Sequence, residues 1–215
     1  PDGRQVVFAT IDANGKSRLW LAPVNRRNPP RLLPPEEGYG PVFGGEGKIY
    51  VRGPEGRQFH IFELTLDSGV VKKFTAEPAV NAPAISPDRK WIILRAPVNS
   101  QETTAVVKAF PANGGAPVLL CEGCFVKWSL DQKTIFFSSA PGNFNGGGRT
   151  FVVPLPRGKA LPAIPRLGLN SEADFAKLPG VRIAGEVNLL PGPSASMYAF
   201  EKQFVQRNLY RIALP

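Results

Sequence analysis

The feature that most constrains the fold of this 215-residue chain is a turn that recurs about every 43 residues. Asp131 follows Asp88 by 43 residues, and Asp88 follows Asp2 by twice that interval. The four turns read Pro1-Asp2-Gly3-Arg4, Gly45-Glu46-Gly47-Lys48, Pro87-Asp88-Arg89-Lys90 and Leu130-Asp131-Gln132-Lys133. A fixed period of roughly 20–50 residues is typical of an array of identical supersecondary units. The sequence therefore predicts a repeat domain.

Each turn is followed by a short apolar run rich in β-branched and aromatic residues, which predicts a buried strand. These runs lie at 5–10, 49–51, 91–94 and 134–137. A second run follows at 19–24, 61–66, 105–110 and 150–155, a third at 31–33, 70–75 and 117–120, and a fourth precedes the turn at 41–43, 83–86 and 125–129. Four short strands in about 40–45 residues are the signature of a propeller blade.

The predicted fold is therefore all-β, a β-propeller of four-stranded antiparallel blades. About five blades are present, at 1–38, 39–80, 81–121, 122–165 and 187–215, with an insert at 166–186. Within the insert, 171–178 is predicted to be a short helix capped by Ser171. Since the chain opens at Pro1 in mid-repeat, we expect a C-terminal fragment of a six- or seven-bladed ring, with a blade face left uncovered.

The repeated turn has a physical rationale. An Asp side chain accepts hydrogen bonds from backbone groups two residues on, which fixes a tight reversal. Gly3 and Gly47 supply the positive φ that such turns often need. Arg89 and Gln132 stand where those glycines stand, so we expect these two turns to be strained or different in geometry.

The turns and strands at 1–10 and 86–94 resemble the repeat of the TolB-like (Trp-Asp-like) β-propeller family, over nearly the whole chain. The segments 168–174, 178–182, 191–193, 198–200 and 206–212 resemble the C-terminal end of bacterial proteins in which a Ser/Thr protein kinase domain precedes such a propeller, often with a membrane span between. The resemblance implies a sensor or interaction propeller attached to a kinase and lying outside the cytoplasmic membrane.

The Cys121-Glu122-Gly123-Cys124 segment allows four interpretations. It is half of a structural zinc site, but no second pair supplies the other ligands. It has the spacing of a redox motif, but that motif opens a helix in a βαβ unit, whereas this pair lies between an outer strand and the next inner strand. A local disulfide between Cys121 and Cys124 would pin the link between blades, and an extracytoplasmic location favours it. Two reduced structural thiols are the fourth interpretation.

The sequence predicts no catalytic, cofactor-binding or metal-ligating residue, and hence no enzyme. His60 is the only histidine, which excludes His-pair mechanisms, and we expect it on the surface or at a blade edge, beginning a strand. No nucleophile elbow, phosphate loop or kinase loop is present. Gly146-Gly147-Gly148-Arg149 is interpreted as a hairpin loop. The turn acids Asp2, Glu46, Asp88 and Asp131 fall in separate blades, too far apart for a shared acid–base site.

The net charge of +9 comes from 26 Lys and Arg against 17 Asp and Glu. The basic residues are distributed over different blades, at Arg26-Arg27, Lys72-Lys73, Arg89-Lys90 and Arg207. No basic run reaches five residues, and no aromatic–basic alternation suggests a stacking platform. We therefore expect a solvated surface, no nucleic-acid partner and no membrane contact by this region itself.

Three functions are compatible with the sequence. The first is a non-catalytic propeller that binds a protein, peptide or small ligand and reports to an attached kinase. The second is a TolB-like scaffold of the cell envelope. The third is the accessory propeller of a serine peptidase, which is disfavoured because such peptidase domains usually follow the propeller. A ligand is expected at the mouth of the central channel, or at the irregular segments 97–103, 140–149 and 155–186.

Overall fold

The computed structural model describes residues 3–45, 47–98, 105–139, 148–185, 189–194 and 196–200. Within them the chain is almost entirely strand. In chain order the elements are β1 (Gln5–Ile11), β2 (Ser17–Pro23), β3 (Arg31–Leu33), β4 (Tyr39–Phe43), β5 (Lys48–Glu55), β6 (Gln58–Thr65), β7 (Val71–Lys73), β8 (Ala84–Ile85), β9 (Trp91–Pro97), β10 (Ala105–Pro111), β11 (Val118–Glu122), β12 (Cys124–Trp128), β13 (Thr134–Ser139), β14 (Thr150–Pro154), α1 (Glu172–Ala176), β15 (Arg182–Ala184), β16 (Leu190–Pro191) and β17 (Tyr198–Ala199).

The strands form five antiparallel sheets in which consecutive strands are neighbours. The sheet orders are β1-β2-β3, β4-β5-β6-β7, β8-β9-β10-β11, β12-β13-β14-β15 and β16-β17. We call these sheets blades 1 to 5. Three of them have the predicted four strands, and the repeated turn joins the first strand of each to the second. The predicted all-β architecture of four-stranded antiparallel blades is confirmed.

Blades 2, 3 and 4 each pack one face against the preceding blade and the other against the following blade, because successive side chains of a strand point to opposite faces. In blade 2, Ile49, Val51 and Leu64 pack with residues of blade 1. The alternate residues Tyr50 and Ile61 pack with residues of blade 3. Further clusters lie between blades 3 and 4 and between blades 4 and 5. The apolar core is therefore a series of four layers between consecutive blades.

The outward face of blade 1 is exposed. Val6 on β1 and Leu32 on β3 lie on the side that points away from blade 2, and about half of each side chain is exposed. Val7 and Leu33, their neighbours along the chain, point the other way into the layer shared with blade 2. Blade 1 therefore has one apolar face in the layer shared with blade 2 and one that is partly exposed.

The structure places the insert differently from the sequence-based division. Residues 166–186 were expected to lie between the units 122–165 and 187–215. Instead β15 (Arg182–Ala184) pairs with β14 as the outermost strand of blade 4. The excursion therefore spans 155–181 and lies inside that blade. The physical reason is that β14 would otherwise present an unpaired edge. The strand that pairs with it has only three residues, too short a run for the sequence pattern to indicate.

The predicted short helix is confirmed, at Glu172–Ala176. Ser171 is its N-cap, with an extended backbone, and its side chain accepts a hydrogen bond from the Asp174 N–H at 3.2 Å. Phe175 is buried and its ring stacks on Phe151 of β14, with centroids 4.4 Å apart. Leu169 and Leu178 are buried in the same layer between blades 3 and 4. We call Leu169, α1 and Leu178 the helical wedge.

The expected backbone strain is present in two turns. Arg89 has φ +58° and Gln132 has φ +61°, close to the +70° of Gly3 and Gly47 at the equivalent positions. The turn geometry is therefore the same in all four turns where it is described. Arg89 and Gln132 each adopt a left-handed backbone conformation, which costs roughly 1–2 kcal/mol per residue. The end of the predicted fifth blade, from 201 to 215, lies outside the described residues.

Candidate functional site

The repeated turns and the connections between the third and fourth strands lie at the same end of every blade, because neighbouring strands run antiparallel. We call this end the turn face. The opposite end carries the connections between the second and third strands and the links from one blade to the next, and we call it the loop face. The two faces are therefore assigned by topology alone.

The turn in blade 3 is held by a small hydrogen-bond network. Asp88 Oδ1 accepts from the Ser86 hydroxyl at 2.6 Å and from the Lys90 N–H at 3.1 Å. The Ser86 hydroxyl oxygen accepts in turn from the Trp91 N–H at 2.9 Å. The carboxylate is thus committed to its own turn, as the sequence predicted.

Blade 4 repeats this network almost to the same distances. Asp131 Oδ1 accepts from the Ser129 hydroxyl at 2.6 Å and from the Lys133 N–H at 3.1 Å. The hydrogen bond from Ser129 and that from the Lys133 backbone lower the pKa of Asp131 below its ordinary value. Both described turn acids therefore stabilise turns, and Asp2 and Glu46 lie outside the described residues.

Blade 2 departs from this pattern, and the departure shapes a cleft. Gly44 stands where blades 3 and 4 have Ser, and a Cβ atom there would lie 2.6 Å from Tyr50 Cε2. The Tyr50 ring thus occupies the space beside the turn, which a serine could not share. The Tyr50 hydroxyl donates to Glu63 Oε2 at 2.9 Å, so the ring is held from both ends.

Glu63 is a buried acid with three partners. Its side chain is 3% exposed, and Lys72 Nζ and Lys48 Nζ lie 3.1 and 3.5 Å from Oε1. Burial by itself would raise the pKa of Glu63. The hydrogen bonds from Lys72 and Tyr50 and the two lysine charges outweigh it and hold the pKa below its ordinary value. Glu63 is therefore an ionised, satisfied group that supports the cleft wall.

Two clefts open on the turn face between neighbouring blades. The cleft between blades 2 and 3 encloses about 660 Å³ and is lined by Gly45, Lys48, Tyr50, Asp88, Arg89, Lys90, Trp91, Pro111, Ala112 and Asn113. The cleft between blades 3 and 4 encloses about 460 Å³ and is lined by Pro87, Asp88, Lys90, Trp128, Gln132, Lys133, Leu155, Pro156, Arg157, Gly158, Lys159 and Ala160. Because Asp88 and Lys90 line both, the two clefts adjoin across the turn of blade 3.

Five basic side chains around these clefts share one property: they are exposed and form no salt bridge with any carboxylate in the described part of the chain. They are Arg89, Lys90, Lys133, Arg157 and Lys159. The loop face differs, because Arg18 pairs with Asp12 at 2.9 Å and Lys108 with Glu77 at 2.7 Å.

The expectation of scattered basic residues is therefore wrong for part of the set. Arg89-Lys90 lies beside Lys133 of the next blade, because both follow a repeated turn. Lys72 and Lys73 pair instead with Glu63 and Glu55. Arg26-Arg27 lies in a separate turn of blade 1, and Arg207 is outside the described residues. The signal that could have predicted the cluster was the repeat register itself, since Arg4, Lys48, Lys90 and Lys133 end the four turns.

The one histidine is buried rather than exposed. His60 is 5% exposed, within β6, and its Nε2 lies 3.4 Å from Glu55 Oε2. It lies in the inner ladder of blade 2, opposite Gly53 of β5. His60 therefore belongs to the packing of blade 2, and the expectation of a surface histidine is wrong.

The cysteine pair lies at the link between blades 3 and 4. Cys121 is in β11 and Cys124 begins β12, both are fully buried, and their sulfur atoms are joined, with Cα atoms 6.0 Å apart. Gly123 between them has φ +64°, which permits the short link. The described residues contain no cluster of three or more metal-type ligands. The disulfide stays a prediction to be tested by counting thiols.

Most of the irregular segments 97–103 and 140–149, where the sequence predicts a possible ligand site, lies outside the described residues, which omit 99–104 and 140–147. Near the loop face, Arg52 and Arg95 occupy equivalent positions in blades 2 and 3. Each guanidinium covers an aromatic ring, Phe59 at 3.8 Å and Phe125 at 4.3 Å. Burial lowers the pKa of Arg95 below its ordinary value.

Comparison with solved structures shows the same fold in known propellers. TolB from Acinetobacter baumannii superposes with a TM-score of 0.57 at 15% identity, over 74% of this chain and 41% of that one. A putative TolB from Agrobacterium tumefaciens gives 0.55 at 20%, over 72% and 59%. The tricorn protease gives 0.55 at 16%, over 88% and 21%. At these identities the likeness establishes a TolB-like β-propeller fold and nothing further.

No protein-family model matches the sequence, and no curated protein matches it. The chain spans between two fifths and three fifths of the two TolB chains. Among the described residues, no helix has the length and apolar character needed to cross a membrane.

Proposed function

We propose that this chain is a non-catalytic β-propeller interaction module that binds a protein or peptide partner on its turn face. The observation that carries the proposal is the cluster of five exposed basic side chains around two adjoining clefts, none of which forms a salt bridge with a described carboxylate. Exposed charges that the fold leaves unmatched are available to a partner at no cost to folding, and complementary charge gives such an interface specificity and a fast on-rate.

We also propose that the chain has no enzymatic role. The described turn acids Asp88 and Asp131 are engaged within their own turns. Glu63 is ionised and held by Tyr50 and two lysines, so it is not poised to accept a proton near neutral pH. The buried His60 contacts only Glu55 among the described charged groups. The serine hydroxyls beside Asp88 and Asp131 are buried within the turns, so they are not open to a substrate.

We propose further that the module is the C-terminal sensor domain of a bacterial Ser/Thr protein kinase, on the outer side of the cytoplasmic membrane. The support is the resemblance of the tail segments and, for the location, the TolB-like fold. A cell-envelope scaffold is the alternative suggested by the two TolB structures, and a peptidase-associated propeller the one suggested by the tricorn protease. The upstream coding sequence distinguishes them: a kinase and a membrane span support the first, a signal peptide and a small α/β domain the second.

Site-specific photo-crosslinking in the native cell tests the binding role. A photoreactive residue replaces Gln132 on the turn face or Asn14 on the loop face, both exposed and outside the clefts' basic set. We expect a discrete protein adduct from position 132 and none from position 14. Adducts from position 14 alone would move the site to the other face, and adducts from neither would contradict an interaction module.

A further inference from the structure

We propose that the two turn-face clefts bind one acidic, carboxylate-rich peptide segment that crosses the turn of blade 3 from one cleft to the other. This inference rests on the proposed function and specifies the chemistry of its partner. It starts from the continuity of the clefts, since Asp88 and Lys90 contribute to both walls. A single extended segment can therefore occupy both without leaving the surface.

The charge of the clefts selects an anion. Arg89 and Lys90 flank one side of the crossing, and Lys133, Arg157 and Lys159 flank the other. Two turn acids lie among them, Asp88 on both walls and Asp131 beside Lys133, and the five cations outnumber these two carboxylates. Guanidinium groups also match carboxylates in a two-point geometry, which favours carboxylate ligands at the arginines.

The cleft floors add apolar contact between the charges. Trp91 and Trp128 are half-buried, and both pack against the layer between blades 3 and 4. The indole N–H of Trp128 donates to the Ala160 carbonyl at 2.8 Å, so its orientation is fixed. Clefts of about 660 and 460 Å³ are large enough for side chains rather than single ions. The fitting segment thus has acidic residues with apolar or aromatic residues among them.

The same tryptophans argue for a peptide over a nucleic acid. Single strands bind by stacking bases on open aromatic faces. Here the two rings are partly covered by the apolar layer, and one is tethered through its N–H. Duplex DNA is read by a helix or ribbon in its major groove, whereas this face of the described chain consists of tight turns. The surface is basic, but its shape fits side chains.

Fluorescence anisotropy of the full chain with defined probes tests the proposal. The probe is a labelled octapeptide, Glu-Glu-Trp-Glu-Glu-Phe-Glu-Glu, with the Lys-for-Glu peptide and a 15-nucleotide oligothymidylate as comparisons. The variant is Lys90→Glu with Lys133→Glu. The matched control is Lys16→Glu with Arg57→Glu, which makes the same charge change at exposed positions of the loop face. Thermal unfolding of both double variants confirms that they fold.

We expect the turn-face variant to weaken binding of the acidic probe by at least about tenfold and the control by less than about twofold. Binding should also weaken with salt in the parent more than in the turn-face variant. Equal losses in both variants would overturn the proposal, because they indicate net charge alone. Tighter, turn-face-dependent binding of oligothymidylate would overturn it in favour of a nucleic acid. Absence of acidic-probe binding while position 132 still crosslinks a protein would contradict the acidic chemistry and leave the proposed function standing.

Discussion

The helical wedge and the turn face have roles that differ from those that the sequence alone suggests. The wedge is the irregular part of the chain, which makes it the first place to look for a binding site. Yet Leu169 and Phe175 are at most 1% exposed and contact the layer between blades 3 and 4. The turn face is built from the repeated turns, the most regular element of the sequence, together with the start of the excursion at 155–160, and it carries the five exposed basic side chains. The buried part of the excursion therefore serves packing, whereas the repeated turns and 155–160 form the surface that is free to bind.

Among the substitutions that test whether the helical wedge serves packing and the turn face serves binding, Phe175→Ala should have the largest effect on stability. Phe175→Ala removes a ring that stacks on Phe151 and lies 5.4 Å from the Phe137 ring centroid. We expect the free energy of unfolding to fall by about 4 kcal/mol, measured by denaturant titration. Lys177→Ala, an exposed change on the next turn, is the control and should cost well under about 1 kcal/mol. Binding of the acidic peptide to folded Phe175→Ala should be unchanged, and a loss of binding would make the wedge part of the site.

The second effect concerns the wall of the cleft between blades 2 and 3. Glu63→Gln leaves Lys48 and Lys72 without their buried carboxylate, and we expect a loss of about 2 kcal/mol at pH 7. Because the folded pKa of Glu63 is lowered, its contribution is present above the ordinary value of 4.5 and is lost as pH falls through the folded pKa. The stability difference between parent and variant should therefore narrow below about pH 4.5.

Urea unfolding from pH 3 to pH 8 measures this difference. Glu122→Gln, an exposed acid on β11, serves as the matched control and should show little change across the range. A difference between parent and Glu63→Gln that grows on acidification would contradict the arrangement in which Lys48, Lys72 and Tyr50 hold the carboxylate ionised.

The third prediction concerns the Cys121–Cys124 pair, which lies between blades 3 and 4 and next to the helical wedge. The Cys121 backbone forms a bridge with Leu169 of the wedge, so a disulfide to Cys124 would brace the wedge and leave the turn face untouched. A thiol assay on the unreduced, unfolded protein should count no free thiols. Reduction should lower stability by about 1–2 kcal/mol, since the loop it closes is short. The Cys121→Ala, Cys124→Ala double variant should be insensitive to reductant. A count of two thiols would remove the disulfide.

The smallest effects are expected at Gln132 and Arg89 of the turn face, where substitutions distinguish backbone strain from peptide binding. Gln132→Gly relieves a left-handed residue and should raise the free energy of unfolding by about 1 kcal/mol. Gln132→Ala keeps the Cβ atom and should give no such gain. Arg89→Gly should also stabilise the fold, but it should weaken binding of the acidic peptide because the guanidinium is lost. Thermal unfolding and anisotropy measured on all three variants check this. Stabilisation by Gln132→Ala equal to that by Gln132→Gly would contradict the strain.

Most of the fold could be predicted from local sequence patterns. The turn spacing predicted the blades, and the Ser171 cap predicted α1. The strain at Arg89 and Gln132 followed from the two glycines at equivalent positions. These features depend on residues close in sequence, so a single chain is enough to predict them.

The remaining features depend on contacts between distant residues. β15 forms a strand because β14, from which it is separated by 27 residues, offers it an edge to pair with, and a run of three residues is too short to indicate a strand from sequence. His60 is buried, although it lies near the start of β6, because β6 is an inner strand of blade 2. The basic cluster arises because antiparallel strands bring the turn before Lys133 and the connection at Arg157 to one end of the blade. Local periodicity does not report such pairings.

Amide hydrogen exchange of the full chain with and without the acidic octapeptide tests the central claim most directly, because it reports the turn face and the wedge in one measurement. We predict slower exchange at 86–91 and 129–133 when the peptide is bound, with exchange at 171–178 unchanged. Protection confined to 171–178, or to loop-face segments such as 12–16 and 55–58, with the two turns unaffected, would contradict it.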